Sequence, residues 1–238
     1  MSTQLDPLTL SADLLYEVKT GGETDELREL LASFDRERFA RALSSRSRRL
    51  SFWLNGYNAF AQLLLEDDPS LLEGGRIDRW RFFARVCFPI AGVHVSLDDV
   101  QHGMLRGSKH PWGFGYLPRP FPSSFERDCC VEGGDPRIHF ALSYGAETCP
   151  PVAVYTPDDA ANELDVATEW YLEENVSYDP QRDVATVPRL FRWYRGDFGG
   201  SAGVREFLGR YGAMPTDGSP TLEYDDFDRS IEVQGIHR

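Results

Sequence analysis

The sequence RSRRLSFWLNGYNAFAQLLLE, from Arg46 to Glu66, decides how this chain folds. Its apolar residues recur at helical spacing and cover more than half of a helix circumference, with Trp53 among them. A helix that is apolar over so much of its surface is surrounded by other elements. The segment therefore predicts a central helix against which the rest of the domain packs.

One narrow side of this predicted helix is polar but uncharged. Four residues fall within a sector of roughly 60° at helical spacing and are called the polar stripe: Ser51, Asn55, Asn58 and Gln62. The stripe is either an ordinary solvent face or part of a site. Exposed positions elsewhere in the chain carry Asp, Glu and Arg rather than amides, which keeps the second interpretation open.

The second informative stretch is DPRIHFALSYGAETCPP, Asp135 to Pro151. Alternation predicts a strand with Ile138, Phe140 and Leu142 on a buried face, and with Arg137 and His139 on the opposite face. The break at residues 143–145 has turn chemistry, so the chain is expected to double back. Cys149, ten residues after His139, would then approach the imidazole.

This pairing predicts thiol chemistry. A cysteine attacks as the thiolate, which a nearby imidazolium or guanidinium favours. We therefore predict Cys149 as nucleophile and His139 as base, with Asn55 or Asn58 orienting the imidazole or donating to an oxyanion. The alternative is that Cys149 is a small buried hydrophobe. The residues predicted to bind substrate are Arg137, His102 and Gln62.

A zinc site is a different hypothesis for the same residues. His102, His139 and Cys149 are ligand types that suit zinc, with a carboxylate or water as fourth ligand. The common zinc spacings C-x-x-C and H-E-x-x-H are absent, as are the nucleotide-binding glycine motifs, so we expect neither metal nor cofactor. His102 follows Asp98 by one helical turn, and it is therefore also interpreted as a histidine satisfied by that carboxylate.

Four blocks of sequence carry a family resemblance. They are DPRIHFAL with the later Cys149-Pro-Pro, FWLNGYNAF (52–60), VSLDDVQHGMLR (95–106) and RLFRWYRGDF (189–198). In order and spacing they resemble the domain of unknown function 547 family over about residues 45–200. The resemblance implies membership in a family of unsettled chemistry, in which some relatives join this domain to coiled-coil segments as interaction partners. A non-catalytic interaction or scaffold module is therefore the main alternative to an enzyme.

The chain departs from the family pattern at one point. The family has Asn-Cys-Gly where this sequence has Ser143-Tyr144-Gly145, so the second cysteine of that loop is missing. Aromatic residues in the blocks 52–60 and 189–198 are interpreted as core rather than as a ligand platform.

Composition limits the possible partners. The 238 residues carry a net charge of −13, which disfavours nucleic acid and anionic membranes. Lys19 and Lys109 are the only lysines, and an acidic chain that avoids lysine is typical of a protein kept soluble in concentrated salt, or simply of an acidic cytosolic protein. The partner is expected to be a small molecule or another protein, in an assembly whose size the sequence leaves open.

Neither a signal peptide nor an apolar run of about 18 residues is evident, so we expect a soluble cytoplasmic protein with reduced thiols. The expected fold is a helix-rich single α+β domain with a small, antiparallel sheet. It divides into an N-terminal helical segment (1–44), a core (45–200), and a C-terminal helix with an acidic tail (201–238). Short strands are predicted within 90–95, 184–187 and 230–233, and the type of residues 76–89 stays open. Aromatic residues in the long connection 107–134 are expected to pack down.

Overall fold

The computed structural model describes residues 5–68, 70, 76–85, 88–143 and 153–225. The α-helices are α1 (Pro7–Thr20), α2 (Asp25–Ser33), α3 (Arg36–Ala42), α4 (Arg46–Asp67), α5 (Arg76–Ala84), α6 (Ser124–Cys129), α7 (Ala160–Asn175), α8 (Leu190–Trp193) and α9 (Gly200–Arg210). A π-helix spans Asp99–Leu105 and a 3₁₀-helix spans Pro136–Phe140. The strands are β1 (Phe88–Ile90), β2 (Val93–Val95), β3 (Ser177–Asp179), β4 (Val184–Val187) and β5 (Thr221–Tyr224).

The helix-rich α+β class is confirmed, with two small sheets in the described residues rather than one. Strands β1 and β2 form an antiparallel hairpin whose turn, Ala91-Gly92, has positive φ at both residues. In the second sheet β4 lies between β3, which is antiparallel to it, and β5, which is parallel to it. The predicted strand at 230–233 lies outside the described residues, and within the described part no helix is long and apolar enough to cross a bilayer.

Helix α4 is the central helix that the sequence predicts. Trp53 is fully buried, and its Nε1 donates a hydrogen bond to the Cys129 carbonyl at 2.9 Å. Its ring lies edge-on to Phe39, Phe52 and Phe125 in one aromatic cluster. Helix α1 packs along α4, and its N-cap Asp6 accepts a hydrogen bond from the Leu8 amide. The core therefore forms around a single long helix.

The polar stripe is not a solvent face. Ser51, Asn55 and Asn58 are each at most 1% exposed, and Gln62 is half-buried. The solvent-face interpretation is therefore wrong for Ser51, Asn55 and Asn58. The hydrogen-bond partners of the two buried asparagine amides are described with the candidate site.

The predicted strand at 137–142 is wrong, because residues 136–140 form a 3₁₀-helix. The Asp135 carboxylate caps this helix by accepting the Arg137 amide, and Pro136 occupies its first turn. A side-chain cap followed by proline is a helix start signal, and here it outweighs the alternating pattern. Ile138 is buried in the core around α4, whereas Phe140 is buried in a second cluster with α7, α8 and α9. The short helix therefore lies between two apolar clusters.

The expectation that the aromatics of residues 107–134 pack down is also wrong for most of them. Phe125 is buried, but Trp112 is 81% exposed and Phe121 is 98% exposed. Residues 109–121, called here the aromatic loop, are closed by an antiparallel bridge between Lys109 and Pro118. Phe114 and Phe121 both have a positive φ, which is a strained backbone conformation for a bulky residue. Their rings are nevertheless exposed to solvent.

Candidate active site

The site is built around a buried histidine and a carboxylate. His139, on the 3₁₀-helix, donates from Nε2 to Asp197 Oδ2 at 2.9 Å, and its side chain is only 2% exposed. Asp197 lies in the turn between α8 and α9. The same carboxylate accepts from Arg106 at the end of the π-helix, from Nε at 2.6 Å and from Nη2 at 3.1 Å. Three chain segments therefore converge on Asp197.

Tyr194 closes this arrangement from one side. Its ring stacks on the His139 imidazole with centroids 4.0 Å apart and planes 16° apart. The Arg106 guanidinium carbon lies 4.7 Å from the centre of the same ring. Because the Tyr194 ring contacts both groups that bind Asp197, it helps to hold the imidazole plane in the orientation of that hydrogen bond.

These contacts set the protonation state of the pair. Burial alone raises the pKa of Asp197, but hydrogen bonds from His139 and Arg106 outweigh it and lower the pKa of this carboxyl below its usual value. Burial lowers the pKa of His139, although Asp197 opposes that shift. A neutral imidazole that donates from Nε2 has an acceptor at Nδ1. The pair therefore presents Nδ1 of His139 as a proton acceptor.

His102 is held by a second arginine contact. Arg106 Nη1 lies 2.7 Å from His102 Nδ1 and donates to it, because arginine has no acceptor. Nε2 of His102 lies 3.6 Å from Asp98 Oδ1, so the expected neighbour of this histidine is confirmed. Burial, followed by the Arg106 charge, lowers the pKa of His102 to about 3. His102 is a neutral residue that helps to position Arg106.

The asparagines of the polar stripe have backbone partners. Asn58 donates to the Ala141 carbonyl at 3.1 Å and accepts the Ser143 amide at 2.9 Å. Asn55 donates to the Tyr155 carbonyl at 2.9 Å and accepts the Tyr155 amide at 2.8 Å. In place of the expected asparagine, Asp197 contacts the imidazole. The two amides instead attach both ends of the segment 143–155 to α4.

The other predicted site residues do not join His139 among the described residues. Cys149 lies outside the described residues. Arg137 does not share a face with His139; its guanidinium binds Asp135 and Asp165. Within the described residues no group of three His, Cys, Asp or Glu side chains has the arrangement of a metal site. His102 Nδ1 also accepts from a cation, which disfavours the zinc hypothesis at that atom.

Asp197, Tyr194 and Arg106 belong to the site but are not among the residues predicted for it from the sequence. The only signal for the first two was the block RLFRWYRGDF, which we interpreted as core. Aspartate is common on the surface of an acidic chain, so nothing in the spacing singled out Asp197.

A close backbone contact holds Asp197 in place. The Gly196 amide donates to the Phe114 carbonyl at 2.7 Å, and a Cβ on Gly196 would lie 2.5 Å from the Gly115 carbonyl carbon. Backbone atoms on both sides leave no room for a side chain. We expect Gly196→Ala to lower the free energy of unfolding by about 1–3 kcal/mol, as overpacking does, and to displace Asp197. Urea unfolding checks this.

The control for this substitution is Gly56→Ala in α4. A Cβ on Gly56 would meet the Phe60 ring at 3.5 Å, an ordinary contact, and alanine favours helix by up to about 1 kcal/mol. Equal stability losses in Gly56→Ala and Gly196→Ala would contradict the steric argument.

Asp98 and His102 make opposite contributions to the pH dependence of stability. The pKa of His102 falls from 6.5 to about 3 on folding, so the unfolded chain binds more protons between these values and stability rises with pH there. Burial, followed by the charge of Asp99, raises the pKa of Asp98 from 3.8 to about 6, so its contribution to stability falls as pH rises over that window.

We therefore expect Asp98→Asn to steepen the rise of stability between about pH 4 and 6, by up to about 1.4 kcal/mol per pH unit. Urea midpoints measured across this range check the result. The control is Asp13→Asn, an exposed carboxylate on α1, whose profile should match that of the wild type. Parallel profiles for wild type and Asp98→Asn would contradict the assignment.

Comparison with known proteins identifies the family. The model of the family described as "Protein of unknown function, DUF547" matches residues 41–172, more than half of the chain. The chain belongs to the DUF547 family. Three of the four recognised blocks begin within this match, and the block containing Asp197 follows it.

This DUF547 protein is also similar to a curated protein, a GDSL esterase/lipase of Arabidopsis thaliana. The two are 30% identical over 81 residues, which is 33% of this chain and 19% of that protein. The chain therefore spans about a fifth of the relative that it matches. No solved structure matches the chain.

Proposed function

We propose that this protein is a thiol-dependent hydrolase or acyltransferase in which His139, oriented by Asp197, is the base for Cys149. The observation that carries the proposal is the buried hydrogen bond from His139 Nε2 to Asp197, which leaves Nδ1 as the proton acceptor. A nucleophile, a base and a group that orients the base are the parts that covalent acyl transfer requires. Asp197 supplies the third part, in place of the asparagine predicted for it from the sequence.

In the proposed reaction His139 Nδ1 takes the proton of the Cys149 thiol, and the sulfur attacks the carbonyl carbon of an acyl substrate. The bond to the leaving group breaks, and that group takes the proton back from the imidazolium. Water or an acceptor hydroxyl then gives its proton to His139 and attacks the thioester carbon; the carbon–sulfur bond breaks, and the Cys149 sulfur takes the proton from the imidazolium, which releases the acid or the new ester. The Asp197 carboxylate stabilises the imidazolium in both halves.

Two further facts support this reaction class. The Arabidopsis relative is by its name an esterase or lipase, and ester hydrolysis is acyl chemistry. Among the described residues Cys129 and Cys130 are the other thiols that could react. Burial raises the pKa of Cys129 to about 12 and also raises that of Cys130, so neither competes as a thiolate.

The test is the alkylation rate of Cys149 by iodoacetamide as a function of pH, read for each cysteine by peptide mass spectrometry. We expect Cys149 to react with an apparent pKa below the ordinary value of about 8.5, and faster than Cys129 or Cys130. His139→Gln and Asp197→Asn should both raise that pKa. A Cys149 pKa of 8.5 or above that is unchanged in both variants would contradict the assignment of Cys149 as the nucleophile.

A second candidate function is a protein-interaction module, and the aromatic loop favours it. Five large apolar side chains of this loop are more than half exposed: Trp112, Phe114, Tyr116, Leu117 and Phe121. Single exposed apolar residues are common on protein surfaces, whereas several within one short loop are a feature of protein-interaction sites. No acidic residue occurs between residues 100 and 125, so the loop differs in charge from the rest of this acidic chain.

Variants separate the two functions. If the protein acts as an interaction module, Phe121→Ser and Trp112→Ser should release proteins that co-purify with the chain, whereas Cys149→Ala should retain them. Trp80→Ser is the matched control, because Trp80 on α5 is 59% exposed but lies outside the loop. Retention of the same proteins by Phe121→Ser and Trp112→Ser would contradict an interaction through this loop.

A further inference from the structure

A polar cleft lies on another side of the 3₁₀-helix from the His139 pair. It has a volume of about 400 Å³ and is lined by residues from the start of α4, the 3₁₀-helix, α7 and α9. Its charged residues are Arg46, Arg137, Arg210, Asp135 and Asp165. In a chain with a net charge of −13, this cleft carries more cations than anions.

The two carboxylates are occupied by protein donors. Both oxygens of Asp135 are bound by Arg137, from Nε at 3.0 Å and from Nη2 at 2.8 Å, and Arg46 Nη2 adds a bond at 3.1 Å. Asp165 accepts from Arg137 Nη1 at 2.9 Å and from the Tyr211 hydroxyl. The cleft has three guanidinium groups and two carboxylates, and both carboxylates are bound by protein donors. One positive charge therefore remains, and it favours an anionic ligand.

Two guanidinium groups of the cleft have N–H donors that form no hydrogen bond to another described residue. The hydrogen bonds of Arg46 to Gly134 and Asp135 both use Nη2, which leaves Nε and Nη1 for another acceptor. Arg210 has an ion pair with Glu206 at 3.7 Å, longer than a hydrogen bond, and its side chain is 66% exposed. Tyr211, which is half-buried, adds aromatic surface to the same wall, and the nearly buried Phe207 lies beside it.

We propose that this cleft binds a small organic anion, a carboxylate or phosphate carried on an apolar body, between Arg46 and Arg210. Guanidinium groups bind both anions through paired charge-assisted hydrogen bonds. The half-buried ring of Tyr211 contacts the apolar part. The assignment is independent of the thiol chemistry proposed above, because none of the lining residues is His139, Asp197 or Cys149.

The test is calorimetric titration of the full chain at constant ionic strength with benzoate, phenyl phosphate, acetate and inorganic phosphate. We expect saturable binding at one site by at least one aromatic anion, tighter than that of acetate or inorganic phosphate. Comparison of benzoate with phenyl phosphate identifies the preferred anion. Arg210→Met and Arg46→Met should each weaken binding at least about tenfold, the effect of one lost hydrogen bond to a charged group.

Arg182→Met is the matched control. Arg182 is 64% exposed and pairs with Glu223 on β5, as Arg210 pairs with Glu206, but it does not line the cleft. Arg210 is the more decisive position, because its replacement removes no buried contact, and thermal unfolding should report an unchanged fold. Absence of saturable binding overturns the proposal. Equal weakening in Arg182→Met and Arg210→Met also overturns it, because the attraction would then be general charge.

Discussion

Asp197→Ala is expected to lower the free energy of unfolding by about 3–5 kcal/mol, the cost of removing one partner from a buried ion pair. Arg106 is 2% exposed, and its guanidinium would lose both bonds to the carboxylate. His139 would also lose the acceptor of its Nε2–H in a buried position. Urea unfolding, followed by fluorescence, measures the loss.

A double variant separates the buried charge from simple loss of packing. Arg106→Met combined with Asp197→Leu removes both charges and keeps apolar volume, so it should recover the part of the loss that comes from the uncompensated Arg106 charge, while the His139 Nε2–H still lacks its acceptor. The single variant Arg106→Met should be destabilised like Asp197→Ala, because it leaves the carboxylate buried. A loss below about 1 kcal/mol in Asp197→Ala would mean that the pair is open to solvent, in contrast to its burial here.

Asn58→Ala and Asn55→Ala are expected to cost about 2–4 kcal/mol each, since each leaves a backbone carbonyl and a backbone amide without a partner at a buried position. Asn58 binds Ala141 and Ser143, and Asn55 binds both groups of Tyr155. The loss of stability is measured by urea unfolding.

Hydrogen exchange adds a local measurement that a general loss of stability would not reproduce. The Ser143 amide should exchange faster in Asn58→Ala, and the Tyr155 amide should exchange faster in Asn55→Ala. Each variant is thus the control for the other. Asn175→Ala, which removes a partly buried bond to the Tyr171 carbonyl at the end of α7, should cost less and leave both amides unchanged. Uniform acceleration across the chain would contradict the attachment of each end by its own asparagine.

Part of the fold follows from pattern alone. The apolar coverage of residues 46–66 predicted a central helix, and α4 spans Arg46–Asp67 with Trp53 fully buried. The alternation at residues 138, 140 and 142 correctly marked buried positions but assigned the wrong secondary structure. The alternating pattern indicates which side chains are buried. The Asp135 cap and Pro136 favour a 3₁₀-helix over a strand at these residues.

The candidate site shows the same division. His139 was selected from the sequence because it lies on the polar face of the predicted strand and ten residues before Cys149. Its partner Asp197 is 58 residues away along the chain. An aspartate in an acidic sequence has no feature that identifies it as buried. The contact depends on the tertiary fold, in which Arg106 also binds Asp197 and the Tyr194 ring stacks on His139.

The sequence by itself determined the helix-rich class, the central position of α4 and the spacing of His139 from Cys149, because hydrophobic periodicity and residue spacing are local properties. The tertiary structure decided that Asn55 and Asn58 bind backbone rather than the imidazole, that Asp197 orients His139, and that the aromatic loop faces outward. These outcomes depend on contacts between distant segments, in which each buried polar group takes the partner that packing brings within hydrogen-bonding distance.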